Sequence, residues 1–387
     1  MKRIFLISIF ILVILQLNAQ TEKKLVILHT NDMHSMITGY APESLYSPLT
    51  TNDDATVGGF ARIATIIKDV KNSFDGTALV IDGGDFLMGT LFQSMEERNG
   101  FQLRLMKLMG YDVGCLGNHE FDFGSEKIAE IISRSAEGGE IPELLLSNAV
   151  FDKEDTGDDA LEKLFNSGLI GRKCILERDG MKIGFFSLLG KVADENAAFA
   201  KPVTFASQKT VAKEMVRELK KEKCDIIICL SHSGVATDKN GNITGEDVKL
   251  AKKVKGINVI ISGHTHTLLE NPVIVNGTAI VQAGEYGQYV GKLSLTYKNG
   301  KTTIDSYSLI PVDDRIAGNT VINELIENQE KLIDQEILLP LGMNYEKGIV
   351  ENDFLLECDW EGAFTESNLG PLVADAIHSY INRHTTK

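Results

Sequence analysis

Five short motifs follow one another along the chain: Asp32-Met33-His34, Gly84-Asp85, Gly117-Asn118-His119-Glu120, Ser231-His232-Ser233 and Gly263-His264-Thr265-His266. Each stands just after an apolar run of strand character, where the open edge of a sheet would present side chains. Five of the eight histidines fall within them. A binuclear hydrolase needs hard or borderline nitrogen and oxygen ligands from separate strands. It also needs a carboxylate that can bridge two ions and a histidine left free to act on the leaving group. Asp, His and Asn in this order supply those parts, and the set predicts a two-metal phosphoesterase site.

Spacing supports the grouping. Asp32 and His34 are two apart at a strand end, as are His264 and His266, so each pair can turn to one side. Asp85 follows Val80-Ile81-Asp82-Gly83-Gly84, whose glycines let the backbone turn sharply and approach closely. Asn118 offers a neutral carbonyl oxygen. Plainer readings stand beside these. A lone His232 after a strand is commonly a buried polar residue with a partner. Asp122 is either a turn residue before Phe123-Gly124 or the group that orients a catalytic His119. Asp82 and Glu120 read as structural. His29 lies on the strand itself and is not assigned to metal, and His378 and His384 read as solvated tail residues.

The elements that must position these motifs alternate. Strand-like runs at residues 25–29, 78–81, 112–116, 144–149, 225–230 and 259–262 are interleaved with helical spacing at 60–70, 91–109, 126–133, 211–220 and 247–254. Asp179-Gly180 and Asn299-Gly300 are hairpin signals, and residues 272–310 are mostly β in pattern. Helices covering sheets, with hairpin strands added, predict a mixed α/β fold. Residues 41–57, rich in Ser, Thr, Asp, Asn and Pro, read as a surface loop that either rims the site or is a solvated insertion. A boundary falls near Pro311-Val312-Asp313-Asp314, followed by an amphipathic helix over 321–337 and a stop at Pro340.

The composition narrows the classes of function. The 387 residues suffice for two domains, or for one large domain with an appendage. A formal charge of −15 argues against a non-specific nucleic-acid binder and a polybasic membrane-surface protein. It leaves room for a small anionic substrate, because bound metal can dominate the local field. Lys2 and Arg3, the apolar run 4–17 and Leu17-Asn18-Ala19 form a signal-peptide pattern over residues 1–19. The apolar run is short for a membrane span, so the expectation is a secreted or periplasmic protein without a stable membrane anchor. The five cysteines (Cys115, Cys174, Cys224, Cys229, Cys358) are odd in number, sparse and without a CxxC. They indicate neither a disulfide scaffold nor thiolate zinc.

The ordered blocks resemble those of calcineurin-like metallophosphoesterases. The wording His29-Thr30-Asn31-Asp32-Met33-His34, Gly117-Asn118-His119-Glu120-Phe121-Asp122 and Ser262-Gly263-His264-Thr265-His266 is similar to the secreted 5′-nucleotidase and UDP-sugar hydrolase family. The resemblance covers roughly residues 25–310, and residues 366–376 resemble the opening helix of that family's C-terminal substrate domain. It implies a four-layer α/β/β/α sandwich with mixed sheets over 20–312, a linker helix over 313–341 and the incomplete start of the C-terminal domain over 342–387. It implies two divalent ions (zinc, manganese or iron), with Asp32, His34 and His266 on the first, Asn118, His232 and His264 on the second, and Asp85 bridging. It further implies in-line attack on phosphorus by a metal-bound hydroxide, with His119, paired with Asp122, stabilising the transition state or protonating the leaving oxygen.

The implied substrate is a nucleotide rather than duplex nucleic acid. The alternatives are 2′,3′-cyclic phosphodiester or nucleotide-sugar hydrolysis on the same metals, or a metal-stabilised surface module without turnover. The family's base-stacking aromatics belong to the C-terminal domain, so no substrate-binding residue is assigned. A separate or further C-terminal substrate domain is the expected partner.

Overall fold

A computed structural model describes residues 22–41, 45–348, 354 and 368–385. The signal-peptide pattern at residues 1–19, Cys358 and the first two residues of the tail resemblance lie outside the described residues.

Two sheets form the centre. A seven-stranded sheet runs in the order Lys301–Pro311, Tyr289–Lys298, Lys23–Thr30, Thr77–Asp82, Val113–Cys115, Glu143–Leu145, Ile170–Gly171. A six-stranded sheet runs Val273–Val275, Thr278–Val281, Val259–Ser262, Ile226–His232, Met181–Leu189, Lys173–Arg178. Each has a parallel interior and antiparallel strands toward an edge, so the fold is mixed α/β.

Period-two alternation builds the layers. Leu25, Ile27, Leu79 and Ile81 from one sheet meet Ile183, Phe185, Ile228, Leu230 and Ile261 from the other in a shared buried cluster. The alternate residues Val26, Leu28 and Val80 are also buried, on the opposite face. Strands buried on both faces need helices outside them. On the second sheet those are Gln208–Lys221 and Glu246–Lys253, which pack Val211, Met215, Leu219, Val248 and Ala251 against Ile227, Cys229 and Ile260. Helix Phe60–Ser73 packs on strand Thr77–Asp82 and on helix Phe101–Met109, which in turn meets Ser125–Gly138. The four α/β/β/α layers follow.

Several boundaries differ from the sequence reading. The helical stretch 91–109 is three pieces, Leu91–Met95, Glu96–Asn99 and Phe101–Met109, because Gly100 adopts φ 56° between the last two. The strand expected over 144–149 splits into Glu143–Leu145 and Ala149–Val150, the latter paired with Thr204–Phe205. The late amphipathic helix is Thr320–Ile333, followed by a π turn at Asp334–Leu338. Both hairpin signals do connect paired strands, with positive φ at Asp179, Gly180, Asn299 and Gly300.

The 41–57 segment is tied down on its C-terminal side. Arg62 is fully buried and bonds Asp54 at 2.9 Å, Asp314 at 3.4 Å and Thr56 Oγ1 at 2.9 Å. One guanidinium thus joins this segment to the chain that follows the last strand.

The chain divides into two compact units, Met1–Ile333 and Asp334–Lys387. The first holds both sheets. In the second, helix Leu369–Thr385 presents Leu372, Val373, Ile377, Tyr380 and Ile381 at 45–65% exposure.

Candidate metal centre

All five motifs sit at the carboxyl ends of parallel strands. Three neighbouring strands of the first sheet, Lys23–Thr30, Thr77–Asp82 and Val113–Cys115, lead into Asp32–His34, Asp85 and Asn118. Two neighbouring strands of the second, Ile226–His232 and Val259–Ser262, carry His232 and lead into His264 and His266. The backbone leaves the strands abruptly. Asp32, His34, Asp85, His264 and His266 have φ of 52°, 49°, 54°, 77° and 53°. Such values are uncommon for residues with a Cβ and gather at functional sites. Gly84, at φ 91°, also allows a close approach: a Cβ there would stand 3.0 Å from the Gly117 amide and from His232 Nδ1.

The nine residues singled out from sequence come together. Asp32, His34 and His266 form one group of converging donor atoms, Asp85, His232 and His264 a second, and His34, Asp85 and His119 a third, each within 4.8 Å. Asp85 belongs to the second and third groups, and the third shares His34 with the first. His34 Nε2 is 3.1 Å from His266 Nε2, which is 3.6 Å from Asp32 Oδ1. His232 Nε2 is 2.9 Å from Asp85 Oδ2 and 3.2 Å from Asn118 Oδ1. The His264 amide donates to both Asp32 oxygens, at 2.9 and 3.1 Å. His119 donates its amide to Asp85 Oδ1 at 2.8 Å and its Nδ1–H to Asp122 Oδ2 at 2.7 Å.

The donor set fits a pair of cations. His232 Nδ1 donates to the Gly83 carbonyl at 3.0 Å, so Nε2 is the atom turned toward two oxygens that are themselves acceptors. One nitrogen and two oxygens facing one another need positive charge among them, from a proton on Nε2 or from a cation in its place. The electrostatics show the same pull on positive charge. Burial works against protonating His232, yet the charge and hydrogen bond of Asp85, then Asp32, raise it to about 10. Burial alone would raise Asp85, but His232, His34 and His119 hold it well below the usual carboxylate range. Burial lowers His34 and His264 to about 4, leaving both neutral near pH 7 with lone pairs to give. Asp32 is raised to about 6, mainly by burial.

Buried carboxylates outside the ligand groups brace the loops. Glu120 Oε2 accepts the amides of Asp85 at 3.1 Å and Gly117 at 2.5 Å, and Oε1 accepts that of Leu87 at 2.9 Å. Burial, then Asp85, raises Glu120 to about 8. Asp82 accepts Thr30 Oγ1 at 2.7 Å and the Gly84 amide at 3.0 Å. Asp247 accepts hydroxyls from Ser231 at 2.5 Å and Ser262 at 2.6 Å, locking the two strand ends that bear His232 and lead to His264. His29 is buried away from the group and stacks on Tyr307. His378 is exposed in the second unit.

Sequence reasoning missed Asn31, Asp247, Glu285 and Tyr286. Asn31 Nδ2 donates to Asp32 Oδ2 at 2.6 Å, Glu285 accepts from His266 Nδ1, and Tyr286 lies edge-on to His34 and His266. One signal could have found the last pair: they follow strand Thr278–Val281 in a glycine-bearing turn, as the motifs follow their strands.

A model of the calcineurin-like phosphoesterase family matches residues 25–268. The chain is 29% identical to a 5′-nucleotidase of Vibrio parahaemolyticus over 93% of this chain and 65% of that protein. It is 28% identical to the trifunctional nucleotide phosphoesterase YfkN of Bacillus subtilis over 91% of this chain and 23% of that protein. The chain therefore spans less than two thirds of the length of either relative. A 5′-nucleotidase precursor from Thermus thermophilus has a similar fold, with a TM-score of 0.65 at 24% identity, covering 81% of this chain and 59% of that one.

Proposed function

This chain belongs to the calcineurin-like phosphoesterases, a family of metal-dependent hydrolases that uses two divalent ions, and we propose that it hydrolyses phosphoric monoesters of nucleotides in the manner of a 5′-nucleotidase. The observation that carries the reading is the position of Asp85, shared between the groups holding His34 and His232, with the His119–Asp122 pair beside it. On this reading Asp32, His34 and His266 hold one ion, Asn118, His232 and His264 the other, and Asp85 both. Bound there, the ions supply Lewis acidity and neutralise the charge of a phosphoryl group.

The chain's own residues do the rest. Asp122 accepts the Nδ1–H of His119, which points Nε2 away from it, and its charge helps Nε2 keep the proton that can be given to a leaving oxygen. Glu120 and Asp82 keep the ligand loops from moving as charge builds. A site that only stabilised the fold would have no use for a half-exposed acid with its own orienting carboxylate, which speaks against a surface module without turnover. The similarity to a trifunctional nucleotide phosphoesterase also fits a second substrate class, cyclic nucleotides or nucleotide sugars, on the same ligands.

The pattern of residues 1–19 supports export to the periplasm or exterior. Among the described residues no helix is long and apolar enough to cross a membrane. The opening of a C-terminal substrate domain over 342–387 belongs to the same proposal.

The test is hydrolysis of AMP, cyclic 2′,3′-AMP, UDP-glucose and an aryl phosphate by the purified protein with zinc, manganese or iron. AMP turnover that needs added metal supports the reading. Absence of turnover on all four with every metal overturns it.

A further inference from the structure

Residues 283–286 touch every member of the first ligand group. The Ala283 amide donates to Asn31 Oδ1 at 2.9 Å, and Asn31 Nδ2 donates to the Gly284 carbonyl at 2.6 Å while also holding Asp32 Oδ2. The Tyr286 amide donates to the Asp32 carbonyl at 2.8 Å. The Tyr286 ring stands edge-on to His34 and His266, with centroids at 5.5 and 5.7 Å. The Glu285 carboxylate takes the Nδ1–H of His266. A carboxylate only accepts, so the His266 proton is fixed on Nδ1 and its Nε2 lone pair is turned toward His34 and Asp32. None of these four residues lies within the stretch matched by the family model, residues 25–268.

We infer that Glu285 is a positioning residue for the first ligand group, and that through it the 283–286 turn sets how tightly Asp32, His34 and His266 take a divalent cation. The inference rests on the proposed assignment of these three as ligands of one ion. The second group is oriented by different means, the Gly83 carbonyl on His232 and Glu120 on the Asp85 amide. The effect should therefore be selective for one ion of the two. Glutamine at 285 can still accept from Nδ1–H, whereas alanine cannot, so the two variants separate the hydrogen bond from the charge.

The experiment is calorimetric titration of metal-stripped full-length protein with Mn²⁺, for wild type, Glu285→Gln and Glu285→Ala, with thermal melting as a check of folding. The expected result is two ions in wild type. Glu285→Ala should bind one of them about 10–100-fold more weakly, the usual cost of losing such an outer partner. Its other ion should be unchanged, and Glu285→Gln should recover most of the loss. Two ions held at wild-type affinity in Glu285→Ala would overturn the inference while leaving the proposed function intact. So would equal weakening of both ions with a lowered melting temperature, which would mark the turn as merely structural. Failure of wild type to bind two ions would instead remove the proposed metal centre itself, and this inference with it.

Discussion

The Nδ1 of His119 and the Oδ2 of Asp122 are 2.7 Å apart, three residues from each other across a single helical turn at the edge of the ligand group. That hydrogen bond is the largest influence on the imidazole. Against the opposing effect of burial, and helped by Asp85, it raises His119 to about 9. The ring meets neutral solution carrying a second proton.

Replacing His119 with asparagine should leave metal content near normal and cut turnover by about two to four orders of magnitude, the scale for losing an acid–base group. Aryl phosphates, whose leaving groups need little protonation, should suffer less than AMP. Equal losses on both would show that His119 acts by charge alone.

Asp122→Asn should move the alkaline limb of the pH–rate profile. A group with a raised value keeps its proton until the pH climbs through that value, so the acid form of His119 is lost on the high-pH side. Removing the carboxylate lets the proton leave earlier, and the limb should shift acidward, toward the ordinary histidine range near pH 6.5. A profile that coincides with wild type would exclude Asp122 as the controlling group.

Asp85→Asn should abolish activity and lower the occupancy of both ions, because one carboxylate serves two groups of ligands. Elemental analysis of the purified variant decides it, and two tightly held ions would refute the shared role.

His29 gives a stability prediction remote from the chemistry. Burial lowers it from 6.5 to about 3, so the folded chain holds it neutral while the unfolded chain takes up a proton below pH 6.5. The unfolded state then binds more protons, and stability falls as the pH drops from 6.5 toward 3. This one group contributes a slope of about 1.4 kcal/mol per pH unit within that window. Urea unfolding at pH 7, 6 and 5 should show a shallower acid decline in His29→Phe. Parallel curves for the two proteins would mean that the ring is protonated in place.

Much of the centre could be read from the sequence because each motif is local. Asp32 with His34, and His264 with His266, carry their spacing with them, and every motif follows a strand strong enough to read. What joins the motifs is not local. That Asp85 and His232 share a hydrogen bond depends on two sheets packing face to face, 147 residues apart in sequence, and only the layered fold supplies that contact. Asp247 looks like an ordinary first-turn acid of its helix until Ser231 and Ser262 are seen to converge on it. Glu285 has no histidine near it in sequence and finds His266 only through the turn that brings it back. Gly100 sits inside a strong helical pattern, where its positive φ overrides the neighbouring propensities.

The left-handed turns at the ligands set catalysis against durability. A residue with a Cβ held at positive φ costs roughly 1–3 kcal/mol each, a cost that glycine avoids. His264, at φ 77°, gives the cleanest case. A glycine there would remove a proposed ligand and ease the backbone, and its amide could still serve Asp32. In metal-free solution such a chemically silent chain should outlast the intact one on heating. Screens that select this protein for heat resistance alone would therefore tend to drift toward inactive variants, so activity has to be part of any such selection.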